Sequence, residues 1–275
     1  MAARELPAAA QEARGAGAQV GMSRWISWEA VYAIWLRDLK KFWRERSRLL
    51  GGLARSVLWL LILGTSLKGA VSTSVLGGAK DYTQYIFPGV LGLSLLFSAM
   101  QSAISIIWDR EFGFLKEVLA APVPRLSIII GKCLGGATQA VLQGIITLFF
   151  APLIGLWPSP LEIVTLIAVM GLIAFALTAL GVLIASNMTS FEGFGTISNF
   201  VVLPMYFLSG AIYPSSTAPE WIKPLIYVNP LSYGVDVMRH ITVGIGNFPV
   251  WLDVGFLVLF GAVMVVVAYP FFNKE

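Results

Sequence analysis

Residues 85–108 read YIFPGVLGLSLLFSAMQSAISIIW, without one Asp, Glu, Lys or Arg. The hydrocarbon core of a bilayer is about 30 Å thick, and a helix of about 20 apolar residues crosses it. This stretch is long and apolar enough to be such a helix. Working outward from it, comparable runs lie near 53–68, 127–154, 162–186, 194–212 and 251–272. The expected fold is therefore all-α: a polytopic membrane protein with six transmembrane helices.

Composition agrees. Of the 275 residues, 57% are hydrophobic and 12% charged, and mean hydropathy is +0.79. Soluble domains carry about 25% charged residues, so this chain has too little polar surface to face water on all sides. Its one cysteine, Cys133, excludes an intramolecular disulfide. Residues 1–22 are rich in Ala, Gly and Gln and lack the apolar core of a signal peptide. They read as a disordered tail, leaving 23–272 as a single transmembrane domain.

Between tail and first span, residues 23–48 place Trp28, Tyr32, Trp35, Leu39 and Phe42 at helical spacing. Arg37, Lys40, Lys41 and Arg44 fall largely on other faces. A basic helix with tryptophans on its apolar side belongs in the membrane interface, although a solvated lead-in helix has the same periodicity. Arg55, early in the first span, can snorkel to headgroups. After the second span, 109–121 mixes Asp109, Arg110, Glu111, Lys116 and Glu117 with Phe112, Phe114, Leu115, Val118 and Leu119. This predicts an amphipathic helix ended by Pro122, which could lie on the membrane or dock a soluble partner. The region 213–246 is apolar yet broken by Pro214, Pro219, Pro224 and Pro230. Its helical piece at 232–243 is too short to span, as in a re-entrant or interfacial segment.

Six spans put both termini on one side. If that side is cytoplasmic, only Lys68, Lys80, Lys223 and Arg239 of the 19 basic residues fall outside, as the positive-inside rule requires. The net charge of +4 then serves anionic headgroups, and nucleic acid is not an expected partner.

There is no Gly-x-x-x-x-Gly-Lys-Ser/Thr phosphate loop, no Gly-x-Ser-x-Gly elbow, and a single histidine, His240. Neither a catalytic set nor a metal site is expected. Ser94, Ser98, Gln101, Ser102 and Ser105 share one face of the second span. Gln139, Gln143 and Thr147 repeat every four residues in the third, and Asn199 stands nearly alone in the fifth. Such groups either bond between helices or line a cargo path. Ser94, Ser98, Gln101, Ser102 and Asn199 are the candidates for the second role. Asp236, Arg239 and His240 share one turn and are expected to form a structural ion pair, with a proton relay as the other reading.

Two segments carry a family resemblance. One is 109–132, with Arg-Glu-Phe-Gly-Phe-Leu-Lys, Ala-Ala-Pro-Val-Pro-Arg and Gly131-Lys132. The other is 204–239, with Phe-Leu-Ser-Gly-Ala-Ile-Tyr-Pro214, Pro219-Glu-Trp-Ile and Asn229-Pro-Leu-Ser-Tyr-Gly-Val-Asp-Val-Met-Arg239. Both resemble type-2 ABC transporter permeases, above all the drug-resistance and nodulation-factor export branch. The resemblance implies an interface helix, six spans and short re-entrant helices between spans five and six. It implies a dimer of permeases, here expected to be a homodimer, with separate ATPase subunits that hold ATP and Mg, so that this chain binds no cofactor. It implies that Arg110, Glu111, Phe112, Gly113, Phe114 and Leu115 belong to the helix that meets the ATPase, flanked by Arg37, Lys40, Lys41 and Arg44. The expected function is export of a drug, lipid or lipid-linked glycan. An ion-coupled secondary transporter or channel is the alternative; it predicts ionisable groups at mid-span, whereas Glu162 and Glu192 lie at span ends.

Overall fold

The computed structural model describes residues 26–66, 81–114, 123–214 and 218–273. The tail 1–22 and residues 115–121 of the expected amphipathic helix lie outside them. The described residues are helical and contain no strand. In chain order the helices are α1 (Trp28–Arg44), α2 (Arg46–Ser66), α3 (Tyr82–Glu111), α4 (Arg125–Leu148), α5 (Pro160–Ser186), α6 (Phe191–Phe207), α7 (Lys223–Val228), α8 (Pro230–Val243) and α9 (Val250–Asn273). A 3₁₀ turn, Ala151–Ile154, follows α4.

Five of these, α2, α3, α4, α5 and α9, are long and apolar enough to cross a membrane. The expected fifth span, 194–212, is instead the 17-residue helix α6. At 1.5 Å per residue it is about 25 Å long. It carries Pro204 in its last turn and stops at Phe207. Gly210, at φ 68°, then turns the chain.

Helix limits follow local chemistry. Ser27 caps α1 by accepting from the Ala30 amide at 3.5 Å. Glu45, at φ −87° and ψ 64°, ends α1, and α2 begins at the next residue. The interface helix is thus shorter than 23–48 and the following helix longer than 53–68, because α2 runs through Gly51 and Gly52 without a break. Likewise α3 runs on through Asp109, Arg110 and Glu111, so these residues end one helix and do not open another. Charge at a membrane boundary does not stop a helix; Gly113, at φ 77°, does.

Helix α5 opens with a capping box. Ser159 Oγ accepts from the Glu162 amide at 3.3 Å, and Glu162 accepts from the Ser159 amide at 2.7 Å. Ser159→Ala is expected to lower stability by about 1 kcal/mol, seen as a reduced midpoint in denaturant unfolding in detergent.

Helix α3 is the hub. It packs against α2, α4, α5, α6 and α8, while α9 lies on α5 and α8, and α1 on α4. Ile86, Val90, Leu91, Leu95 and Leu96 of α3 are fully buried. In contrast α2 and α9 turn Leu58, Leu61, Ile62, Val258, Leu259 and Val266 outward, as suits helices facing lipid. Lipid tails give no hydrophobic drive to helix association, so close packing of small residues takes its place. At the α3–α4–α5 crossing, a Cβ on Gly136 would come within 2.5 Å of Thr178 Cγ2 and 3.0 Å of Ser102 Cβ.

Candidate functional site

Four charged side chains converge where α1 crosses the C-terminal end of α3 and the start of α4. Arg37 Nη2 lies 2.8 Å from Asp38 and 2.6 Å from Asp109. Lys132 Nζ lies 3.1 Å from Asp38 and 2.6 Å from Asp109, and donates to Ser105 Oγ at 3.1 Å. Asp38 and Lys132 are buried, at 4% and 5% exposure. The formal charges cancel, so the cluster meets the condition for buried ions, which are tolerated when paired and hydrogen-bonded. Burial works against the Arg37 cation, but Asp38 and Asp109 outweigh it and hold the Arg37 pKa above its ordinary value.

Neutral contacts fasten the same helices. Trp35 Nε1 donates to Thr138 Oγ1 at 3.0 Å, and Gln139 Nε2 to the Asp38 carbonyl at 3.3 Å. A Cβ on Gly131 would sit 3.0 Å from Ile34 Cβ; that close approach lets α1 lie flat on α4.

Beyond this cluster the chain presents an aromatic and basic surface. Phe112 stacks on Trp108 at 5.2 Å, and Trp108 meets Phe191 at 4.7 Å. The Arg37 guanidinium lies 4.3 Å over Phe114, and the Lys41 ammonium 5.7 Å over Trp108. Phe112 is 72% exposed; Glu111, Lys40, Lys41 and Arg44 are exposed beside it. Gly113 makes the turn between the two phenylalanines, and Leu115 lies outside the described residues. Arg110 turns inward and donates to the Ser186 and Met188 carbonyls at the end of α5. Arg125 does the same for the Phe272 carbonyl at the end of α9. Both place a cation at a helix C-terminus, where the backbone dipole favours it.

The polar face of α3 divides. Ser94, Ser98 and Gln101 line a cavity between α2, α3 and α4, together with Gln143. Ser94 Oγ also lies 3.5 Å from Thr147 Oγ1. Ser102 donates to the Ala99 carbonyl of its own helix at 2.7 Å. Asn199 is on the exposed face of α6 with Phe200 and Leu203, apart from the others.

At the opposite end of α3, the expected ion pair is replaced by separate partners. Asp236 accepts from the Asn247 and Phe248 amides at 2.9–3.0 Å and from Asn247 Nδ2 at 2.8 Å. Arg239, 2% exposed, donates to the Gly210 and Ala211 carbonyls at 2.9 and 3.4 Å. It also lies 4.0 Å over the Tyr85 ring. His240 is exposed. Loop backbone competes for these side chains because the turns at 208–212 and 244–249 leave unpaired carbonyls and amides within reach.

Sequence reasoning does not find the charge cluster, since its members lie on three helices. Two signals point to it. Lys132 is a cation within an otherwise apolar run, and Asp38 is an acid amid Arg37, Lys40 and Lys41; each calls for a partner.

Residues 29–243 match the profile of the ABC-2 type transporter family. The chain belongs to this family. It is 27% identical over 242 residues to the inner membrane transport permease YadH of Escherichia coli K12, covering 86% of this chain and 91% of that protein. It is 28% identical over 237 residues to nodulation protein J of Rhizobium leguminosarum bv. viciae, covering 83% and 88%. The chain is thus an ABC-2 transport permease, a multi-pass protein of the same type as an inner membrane relative. The family match takes in this permease's charge cluster, its aromatic surface and the whole of α8, and ends where α8 ends.

Proposed function

We propose that this chain is the membrane subunit of an ATP-binding-cassette exporter that works with a separate ATPase. The observation that carries the reading is the exposed aromatic–basic surface around Phe112 and Phe114, joined by Arg37 to a neutral buried charge cluster. A push on that surface reaches α1, α3 and α4 together, because Arg37, Asp109 and Lys132 tie all three. ATP and Mg belong to the partner. Binding energy released there tilts the bundle as a fairly rigid body, and 109–119 receives the stroke.

The short helix α6 serves as the fifth of six spans, with α7 and α8 as re-entrant helices before the sixth. Arg110, Arg125, Lys41 and Arg44 gather at one end, which supports placing that end and both termini in the cytoplasm. Lipid cannot satisfy the Asn199 amide on the outer face of α6, which favours a second copy of the chain there, as a homodimer. Cargo passes between α2, α3 and α6 of the two copies. Ser94, Ser98 and Gln101 line its entry, the cavity between α2, α3 and α4, and the cargo is amphiphilic: a drug, a lipid or a lipid-linked glycan.

The test is co-purification of tagged permease with its candidate ATPase. Wild type is expected to retain the ATPase. Glu111→Arg and Phe114→Asp are expected to lose it while still inserting and eluting as folded protein. A folded permease that never holds an ATPase, yet moves solute without ATP, would instead be a secondary transporter.

A further inference from the structure

The cavity between α2, α3 and α4 gathers two guanidinium groups and two amides, with no carboxylate among the described residues to answer them. It encloses about 150 Å³ and is lined by Arg48, Arg55, Ser98, Gln101 and Gln143, with Phe97 on its apolar wall. Among the described residues no carboxylate lines it. Arg48 and Arg55 are seven residues apart on one face of α2. Arg55 lies 4.2 Å over the Phe97 ring and has no acidic partner among the described residues. Among the described residues Arg48 has only Glu45 as an acidic partner, at 3.6 Å. Its Nη2 is buried without a hydrogen-bond partner. Gln143 is 4% exposed, and its Nε2 is likewise unpartnered. Such orphans are costly in an apolar setting, where each needs an acceptor.

Snorkelling to bulk headgroups accounts for a single arginine at a span's end. It does not account for the Gln143 amide, which cannot leave the helix interface. The cavity's own content does: an anion with several acceptor oxygens would satisfy the guanidinium forks, the amide and the Ser98 hydroxyl together. The apolar wall of Leu93 and Phe97 continues from these donors and suits an acyl chain attached to that anion.

We propose that the α2–α3–α4 cavity binds the phosphate group of a lipid, which makes phosphate-bearing amphiphiles the class of cargo this permease admits. The proposal rests on the exporter reading for the word cargo, while binding itself does not. The anion enters from the leaflet beside α2, the phosphate docks between Arg48 and Arg55, and Gln143 closes the back of the site.

The experiment is titration of the purified full-length permease, in neutral detergent, with dihexanoyl phosphatidic acid. Dihexanoylglycerol and inorganic phosphate are run in parallel. Phosphatidic acid is expected to bind, and dihexanoylglycerol to bind far more weakly. Arg55→Gln and Arg48→Gln are each expected to weaken phosphatidic acid binding roughly tenfold, the loss of one charge-assisted hydrogen bond. Arg55→Lys, which keeps the charge but loses the fork and the stacking on Phe97, should fall between wild type and Arg55→Gln. Gln143→Leu, which removes no charge, should lose a few-fold and serves where an arginine variant fails to fold. Inorganic phosphate binding as tightly as the lipid would keep the anion site and overturn its lipid source. Folded Arg55→Gln, Arg48→Gln and Gln143→Leu that all bind phosphatidic acid like wild type would overturn the site. ATPase co-purification is read on the same samples, so a failed site with ATPase retained leaves the exporter reading standing.

Discussion

Lys132→Met is expected to destabilise the permease by about 3–5 kcal/mol, the usual cost of removing one partner from a buried ionic group. The variant leaves Asp38 and Asp109 facing Arg37 alone, with Asp38 at 4% exposure and unable to reach water. Methionine follows the lysine stem and lacks only its terminal ammonium, so packing changes little and the effect reports charge. The measurement is the unfolding midpoint in detergent. The companion is Lys132→Met with Asp109→Leu. That double variant removes one charge of each sign, leaves the neutral Arg37–Asp38 pair at 2.8 Å, and is expected to recover most of the loss. A single variant as stable as wild type, or a double variant worse than the single, would show that neutrality is not what holds α1 against α3 and α4.

Gly136→Val is expected to be nearly as damaging for a different reason. Its Cβ would press on Thr178 Cγ2 and on Ser102, and Thr178 is fully buried. Neither neighbour is the far end of a flexible chain, so relief requires α3 or α5 to move. Overpacking of this kind costs about 1–3 kcal/mol where side chains can adjust, and more where backbone must shift. We expect loss of the monodisperse species on size-exclusion chromatography, with partial recovery when Thr178 is also shortened to serine. A Gly136→Val protein with the wild-type midpoint would mean that the three helices cross less closely than described.

The helices were legible because a charge-free run of spanning length is rare outside a bilayer-crossing helix. Their ends were less so. The charged residues 109–111 suggest a boundary, but charge does not break a helix; glycine at positive φ does, at Gly113. The break at Glu45 had no sequence signal at all, since nothing there is Gly or Pro. Helix α6 falls short of its expected length through Pro204 and Gly210, and both residues are visible in the sequence, yet the apolar run continues past them. For the site, the exposed phenylalanines could be read from the alternation of Phe and charge around Gly113. The Arg37–Asp38–Asp109–Lys132 cluster could not, because residues 72 and 94 positions apart meet only in three dimensions. Asp236 and Arg239 illustrate the converse. Proximity in sequence predicts pairing, but loop amides and carbonyls satisfy both residues better.

The Arg125 guanidinium grips the last turn of α9, across 147 positions of chain. A ribosome delivers that carbonyl long after the arginine. While α4 to α8 enter the membrane, Arg125 stands at the threshold of α4 with its acceptor still unsynthesised, and the bundle remains open along the side that α9 will fill. Closure of the fold therefore waits on the arrival of α9. A chain cut short before Phe272 lacks this clasp.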